Sequence, residues 1–260
     1  MRRAALLVWL TLLLGSTPVH AKLITQTLEY EHAGLVCEGY LAYDDALTGR
    51  RPGILVIHQW MGVTDNERRR AEMLAGLGYV ALAADVYGKG VRPADSGAAA
   101  QEAGKYYADR ALFRARLLAA LEALQRQATV DPARLVAIGY CFGGGGALEL
   151  ARAGAPLLGA VSFHGNLGTP NPADAQAIRA KLLVCHGAAD PFVKAEELQA
   201  FVAEMEAAKV DYQLVMYAGA LHGFTQRSAG ADPSTGVAYN AAADVRSWAQ
   251  MQAFFAEIFD

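Results

Sequence analysis

Cysteine is scarce in this chain: three among 260 residues, an odd number that cannot all pair. A small domain stapled by disulfides is therefore excluded, and stability must come from an apolar core. Excess positive charge is missing as well. Lys and Arg total 23 against 26 Asp and Glu, a formal net charge of −3, and no segment gathers the basic side chains into a stripe. That balance lacks the electrostatic footprint of a nucleic-acid-binding protein, or of a surface that docks on anionic lipid. Repeats, sustained heptads and long low-complexity linkers are absent too, so one compact domain is expected. The histidines show no metal-ligand spacing such as H-E-x-x-H, and no metal is expected.

Long hydrophobic runs are also lacking. The apolar stretch Ala4 to Leu14 follows the basic pair Arg2 and Arg3 and precedes the small-residue site Val19-His20-Ala21. That order is the pattern of an export leader, and the stretch is short for a membrane-spanning helix. Residues 1–21 are expected to be removed as a signal peptide, leaving 22–260 as the domain. The mature chain is expected to be exported, most simply to a bacterial periplasm, without stable membrane insertion. The alternative is a retained N-terminal anchor.

What the chain does contain is an alternation of short apolar runs with helical patterns. This is the signature of an α/β fold, a mostly parallel central sheet covered by helices on both faces. Leu23 to Tyr30 and Cys37 to Tyr43 read as an opening pair of strands. Ile54 to His58 reads as a buried central strand, followed by a helix over Asn66 to Leu77 and a strand over Tyr79 to Ala84. Lys89 to Ala100 reads as a surface excursion, and Gln101 to Gln127 as one long helix with Leu112, Leu117, Leu121 and Leu124 on its apolar face. Further strands are expected at Arg134 to Ile138, Leu158 to His164, Lys181 to His186 and Asp211 to Tyr217. Helices are expected over Glu196 to Lys209 and Ser247 to Ile258. Cys37 and Cys185 fall inside strands and are expected as buried free thiols. A bridge between them would require close Cα atoms.

Cys141 has a different setting. The strand Arg134 to Ile138 runs directly into Gly139-Tyr140-Cys141-Phe142-Gly143-Gly144. This is the nucleophile elbow G-x-S-x-G with sulfur in place of oxygen, a strand turning sharply into a helix with the nucleophile at the apex. A thiol needs a base, and the base needs an orienting acid. Both follow in the order this kind of fold uses, each just past a strand: Asp190 in His186-Gly187-Ala188-Ala189-Asp190-Pro191, then His222 in Gly219-Ala220-Leu221-His222-Gly223-Phe224. Asp85 is a rival acid, but it precedes the cysteine. His58, His164 and His186 also end strands on the same edge and read as structural residues satisfied locally. Acyl transfer also requires an oxyanion hole. Its donors are expected to be the backbone N–H of Phe142, at the start of a helix, and that of Trp60, in the loop after the third strand.

These strings, together with Asp85-Val86-Tyr87-Gly88, resemble the dienelactone hydrolase family of α/β-hydrolases over nearly the whole of residues 22–260. The resemblance implies an α/β-hydrolase fold without a large lid domain, no organic cofactor and a monomer. It implies a small-molecule ester or lactone substrate, opened through a Cys141–His222–Asp190 triad and a thioester intermediate. Gln59 and Tyr87 are the candidate substrate contacts, with core packing the alternative for Tyr87. The sequence departs from the founding enzymes in two places. Gln59 stands where they carry a glutamate that handles the thiol proton. Gln226, with Arg227 beside it, stands where they carry a carboxylate-binding arginine. The rival reading is a ligand-binding protein that keeps the fold without turnover.

Overall fold

The computed structural model describes residues 22–260. The expected leader at 1–21 lies outside them. Eight strands form one sheet: β1 (Leu23–His32), β2 (Leu35–Asp44), β3 (Arg51–Ile57), β4 (Val80–Ala84), β5 (Val130–Tyr140), β6 (Gly159–Phe163), β7 (Lys181–Gly187) and β8 (Tyr212–Tyr217). Their order across the sheet is β1-β2-β4-β3-β5-β6-β7-β8. The β1–β2 and β2–β4 pairings are antiparallel and all the others parallel. The parallel strands have few polar positions because helices cover both their faces. Helices α1 (Asp65–Gly76) and α6 (Ala241–Phe259) pack on one face. Helices α2 (Ser96–Ala108), α3 (Arg110–Gln125), α4 (Phe142–Arg152) and α5 (Ala195–Ala208) pack on the other.

The strand order has one consequence for function. From β3 the chain steps outward to β4, then returns to the other side of β3 as β5. Loops leaving two neighbouring strands in opposite directions open a crevice at their C-terminal ends, where α/β sheets bind ligands. Ile57 is in register with Gly139 across this switch point. The segments His58-Gln59-Trp60 and Tyr140-Cys141-Phe142 therefore emerge side by side.

The long helix expected from 101 to 127 is two helices. Asp109 divides them with an extended backbone (φ −123°, ψ 89°), and its side chain accepts the Leu112 N–H, capping α3. Local side-chain capping outweighs continued helix at this residue. The stretch read as a surface excursion becomes helix at Ser96, capped by Asp95. Likewise α6 begins at Ala241, where Asn240 caps the Ala243 N–H, six residues before the expected start at Ser247. Cys37 in β2 and Cys185 in β7 are buried and free. Five strand spacings separate β2 from β7, about 24 Å at the usual interval, which rules out a bridge between them.

A buried ion network fixes the elbow helix to its neighbours. Arg152 of α4 holds Glu204 of α5 through two bonds of 2.8 Å each and also contacts Glu149 at 3.2 Å. Its Nη2 also donates to the Leu167 carbonyl. Two-point pairing of this kind satisfies a guanidinium that is 1% exposed.

Glycine is required where α4 begins. A Cβ on Gly143 would lie 2.2 Å from the Ile57 carbonyl oxygen, whereas one on Gly104, in α2, would meet nothing within 4 Å. Gly143→Ala should therefore lower stability by about 3 kcal/mol, since the obstacle is backbone that cannot rotate away. Gly104→Ala should raise it by about 0.5 to 1 kcal/mol. Urea denaturation of the two variants checks both signs.

Candidate active site

Cys141 occupies the turn between β5 and α4 with φ 54° and ψ −114°. A side chain other than glycine is strained there, and such strain persists only where the surroundings enforce it. Here the Cys141 N–H donates to the Phe163 carbonyl, and its own carbonyl accepts from Gly144 and Gly145. The sulfur sits at the N-terminus of α4, the positive end of the helix dipole.

Asp190 and His222 reach the sulfur from the loops after β7 and β8. His222 Nε2 lies 3.0 Å from Cys141 Sγ, and His222 Nδ1 lies 2.8 Å from Asp190 Oδ2. Asp190 is itself fixed, since its Oδ1 accepts the Phe192 N–H at 2.9 Å. Backbone pairing with Gly236 and Ala238 holds the His222 segment in place. Burial pulls the imidazole pKa down, but hydrogen bonds to Asp190 and Cys141 and their charges outweigh it and raise the value to about 10. The sulfur thus faces an imidazole that holds its proton at neutral pH, the counter-charge a thiolate needs. The bond from Nδ1 to the carboxylate directs Nε2 towards the sulfur.

Neither the Phe142 N–H nor the Trp60 N–H donates to a protein acceptor among the described residues. Trp60 borders the crevice that also holds the sulfur, whereas Phe142 is fully buried and does not line it. Trp60 and Cys141 line a pocket of about 190 Å³ with Gln59, Phe192, His222, Gln226 and Val237. Cys141 and His222 are the only titratable side chains in that lining. Arg227 and Arg69 belong to a neighbouring cleft of about 460 Å³, which meets the pocket at Gln59 and Gln226.

Gln59 is buried, and its Nε2 donates to Glu67 Oε1 at 3.3 Å. Glu67 is fully buried and also accepts from the Thr64 N–H, the Thr64 hydroxyl and Asn66 Nδ2. The carboxylate of this region thus lies one amide away from the pocket, at the first turn of α1. Sequence reading missed it, although Thr64-x-x-Glu67 is a capping-box string that pointed there. Tyr87, expected at the substrate, does not line the pocket. It lies beneath the Trp60 loop, 2% exposed, with its hydroxyl donating to the Trp60 carbonyl at 3.0 Å.

The remaining strand-end groups have local tasks. Asp85 accepts the backbone N–H groups of Glu38, Tyr87 and Gly88 and so shapes the turn after β4. His164 stands edge-on behind His222 with ring centroids 5.3 Å apart, and its Nε2 pairs with the Thr225 hydroxyl. Burial and the facing His222 charge push its pKa well down, which keeps it neutral. Burial pushes His186 down as well. Among the described residues, no group of three His, Cys, Asp or Glu side chains could hold a metal ion, and no helix is long and apolar enough to cross a membrane.

Residues 37–259 match the dienelactone hydrolase family, and the chain belongs to it. It is accordingly a carboxylic ester or lactone hydrolase, with the α/β-hydrolase fold. Among solved structures it is similar to a dienelactone-hydrolase-like promiscuous phosphotriesterase from metagenomic libraries. The two share 40% identity with a TM-score of 0.88, over 92% of this chain and 99% of the other. A putative carboxymethylenebutenolidase of Synechocystis is 28% identical over 89% of this chain and 96% of its own length. An uncharacterised protein of Caenorhabditis elegans is 41% identical over 55% of this chain and 92% of its own.

If His222 supplies the counter-charge, His222→Ala should slow iodoacetamide labelling of Cys141 at pH 6.5 by about tenfold or more. Cys37 and Cys185 serve as internal references, because burial pushes their thiols up to about 11 and about 12. Peptide mapping of the labelled protein reads all three. Equal labelling of Cys141 in native and variant protein would remove the ion pair.

Proposed function

We propose that the chain hydrolyses neutral carboxylic esters or lactones through a thioester on Cys141. The observation that carries this reading is the relay Asp190–His222–Cys141 at 2.8 and 3.0 Å, ending on a strained elbow thiol. With the thiol proton already held on His222, the sulfur attacks the carbonyl carbon, placing the electron pair on oxygen. The Phe142 and Trp60 amides donate to that oxygen. As the tetrahedral species collapses, the carbon–oxygen bond to the leaving group breaks and His222 returns the proton to the departing alkoxide. Water then attacks the thioester, its proton passes to His222, and the acid leaves as the thiol re-forms. Asp190 orients the imidazole and stabilises its charge throughout.

The pocket supports the substrate class. Apart from the reacting pair, its lining of Gln59, Trp60, Phe192, Gln226 and Val237 carries no charge, so a carboxylate placed there would be desolvated without a partner. Gln59 bears no carboxylate, which leaves proton handling to His222. A second reading, turnover of uncharged phosphotriesters, is favoured by the same neutral lining and by the metagenomic relative of that description.

Cys141→Ala should lower hydrolysis of short neutral acyl esters by at least about 1,000-fold. The native enzyme should favour them at least tenfold, by about 1.4 kcal/mol, over the same esters carrying a carboxylate on the acyl chain. Steady-state rates on both substrate sets test this, and equal rates for native and Cys141→Ala protein would overturn it. An inactive native protein would leave the ligand-binding reading. The basic, apolar and small-residue order of residues 2–21 supports export, for which N-terminal sequencing of secreted protein should read Lys22 first.

A further inference from the structure

His58 directly follows β3 and is fully buried, with no contact to solvent. Its Nε2 accepts the Val86 N–H at 3.2 Å, so the ring proton resides on Nδ1. That Nδ1–H donates to the Gln59 carbonyl oxygen at 2.5 Å. The Gln59 carbonyl and the Trp60 N–H belong to one planar trans peptide and point in opposite directions. Whatever fixes the carbonyl therefore also aims the amide. The Gly62 N–H is a second donor to the same oxygen, at 3.2 Å. One bond allows a peptide to pivot, whereas two from different directions set its plane. On the following residue, the Tyr87 hydroxyl holds the Trp60 carbonyl.

The His58 ring also packs on the side chain of Phe142, whose backbone carries the other proposed donor. It stacks on Phe142 with centroids 5.6 Å apart and planes at 16°, and meets the Tyr87 ring edge-on at 4.5 Å. Burial lowers its pKa, so the neutral form that this bonding requires is the one present. A rotated Gln59–Trp60 peptide would turn a carbonyl oxygen towards the developing negative charge and leave the imidazole N–H without its acceptor.

We propose that His58 is a positioning residue for the oxyanion site, holding the Gln59–Trp60 peptide so that the Trp60 amide faces the reacting carbonyl oxygen. This rests on the thioester reading above. The test compares ester hydrolysis with alkylation of Cys141 by iodoacetamide. Alkylation is a displacement that uses the thiolate and His222 but forms no oxyanion. In His58→Leu, kcat on a neutral ester should fall by about 100-fold, the loss typical of one oxyanion donor. KM should stay within about twofold, and the alkylation rate and its pH profile should not move. His58→Asn, which keeps an amide N–H near the Nδ1 position, should recover about tenfold of the loss. If His58→Leu does not fold, His58→Asn alone decides, with kcat about tenfold below native and alkylation unchanged. Alkylation falling in step with kcat would show general damage to the site and overturn the role. So would native kcat in His58→Leu, or no recovery in His58→Asn. Cys141→Ala separates the two readings. Hydrolysis that survives it overturns the nucleophile, while hydrolysis lost there but intact in His58→Leu overturns only His58.

Discussion

Backbone contact between the first turn of α4 and the ends of β3 and β5 is the constraint on which the site depends. The peptide units of Gly139, Gly143 and Ile57 lie so close that a single added carbon at either glycine would overlap them. This approach forces the chain through a positive φ at Cys141 and leaves the thiol at the apex of the turn. It also sets the start of a helix, with its unsatisfied amides, beside the loop that leaves β3. One steric requirement therefore places the sulfur and both proposed anion donors together. The loops after β7 and β8 then bring Asp190 and His222 to the sulfur.

The electrostatics follow from that placement. His222 stands between a carboxylate that is completely buried and a sulfur at a helix N-terminus, and its pKa rises despite burial. His164 and His58, fully buried and without an acidic partner bonded to the ring, move in the opposite direction. Three histidines within one sheet edge thus hold different charge states because their hydrogen-bond partners differ. A neutral His164 behind His222 adds no positive charge to compete with the imidazolium. Glu67 sits beyond Gln59, where four donors satisfy it.

Much of this was legible in the sequence because the chemistry needs fixed residue types at fixed places. Gly139, Cys141 and Gly143 mark the elbow, while Asp190 and His222 follow strands in the order the fold imposes. The central strands were legible as continuous apolar runs. Helix boundaries were less so: Asp109, Asp95 and Asn240 act as caps, and capping residues look like ordinary polar surface until their backbone partners are known. The role of Tyr87 was misplaced because sequence locates a residue at a sheet edge without saying whether its hydroxyl faces the pocket or the loop beneath. His58 was read as a side chain satisfied locally. Its local partner is the peptide carrying the Trp60 amide, a relation only three-dimensional structure reveals. Residues 1–21 lie outside the described structure, and their reading rests on the sequence pattern alone.

The order of the strands also divides the site along the chain. Residues 58 to 62 and 139 to 143, from the first three-fifths of the sequence, form the backbone frame around the sulfur. Asp190, Phe192, His222, Gln226 and Val237 all come from the remainder and supply the relay and most of the pocket wall. The seam between these halves runs through the pocket itself. Loops after β7 and β8 can therefore change length or lining while the backbone frame around the sulfur stays intact. Recombining the later segment would replace most of the pocket wall and leave the elbow and the loop after β3 unchanged.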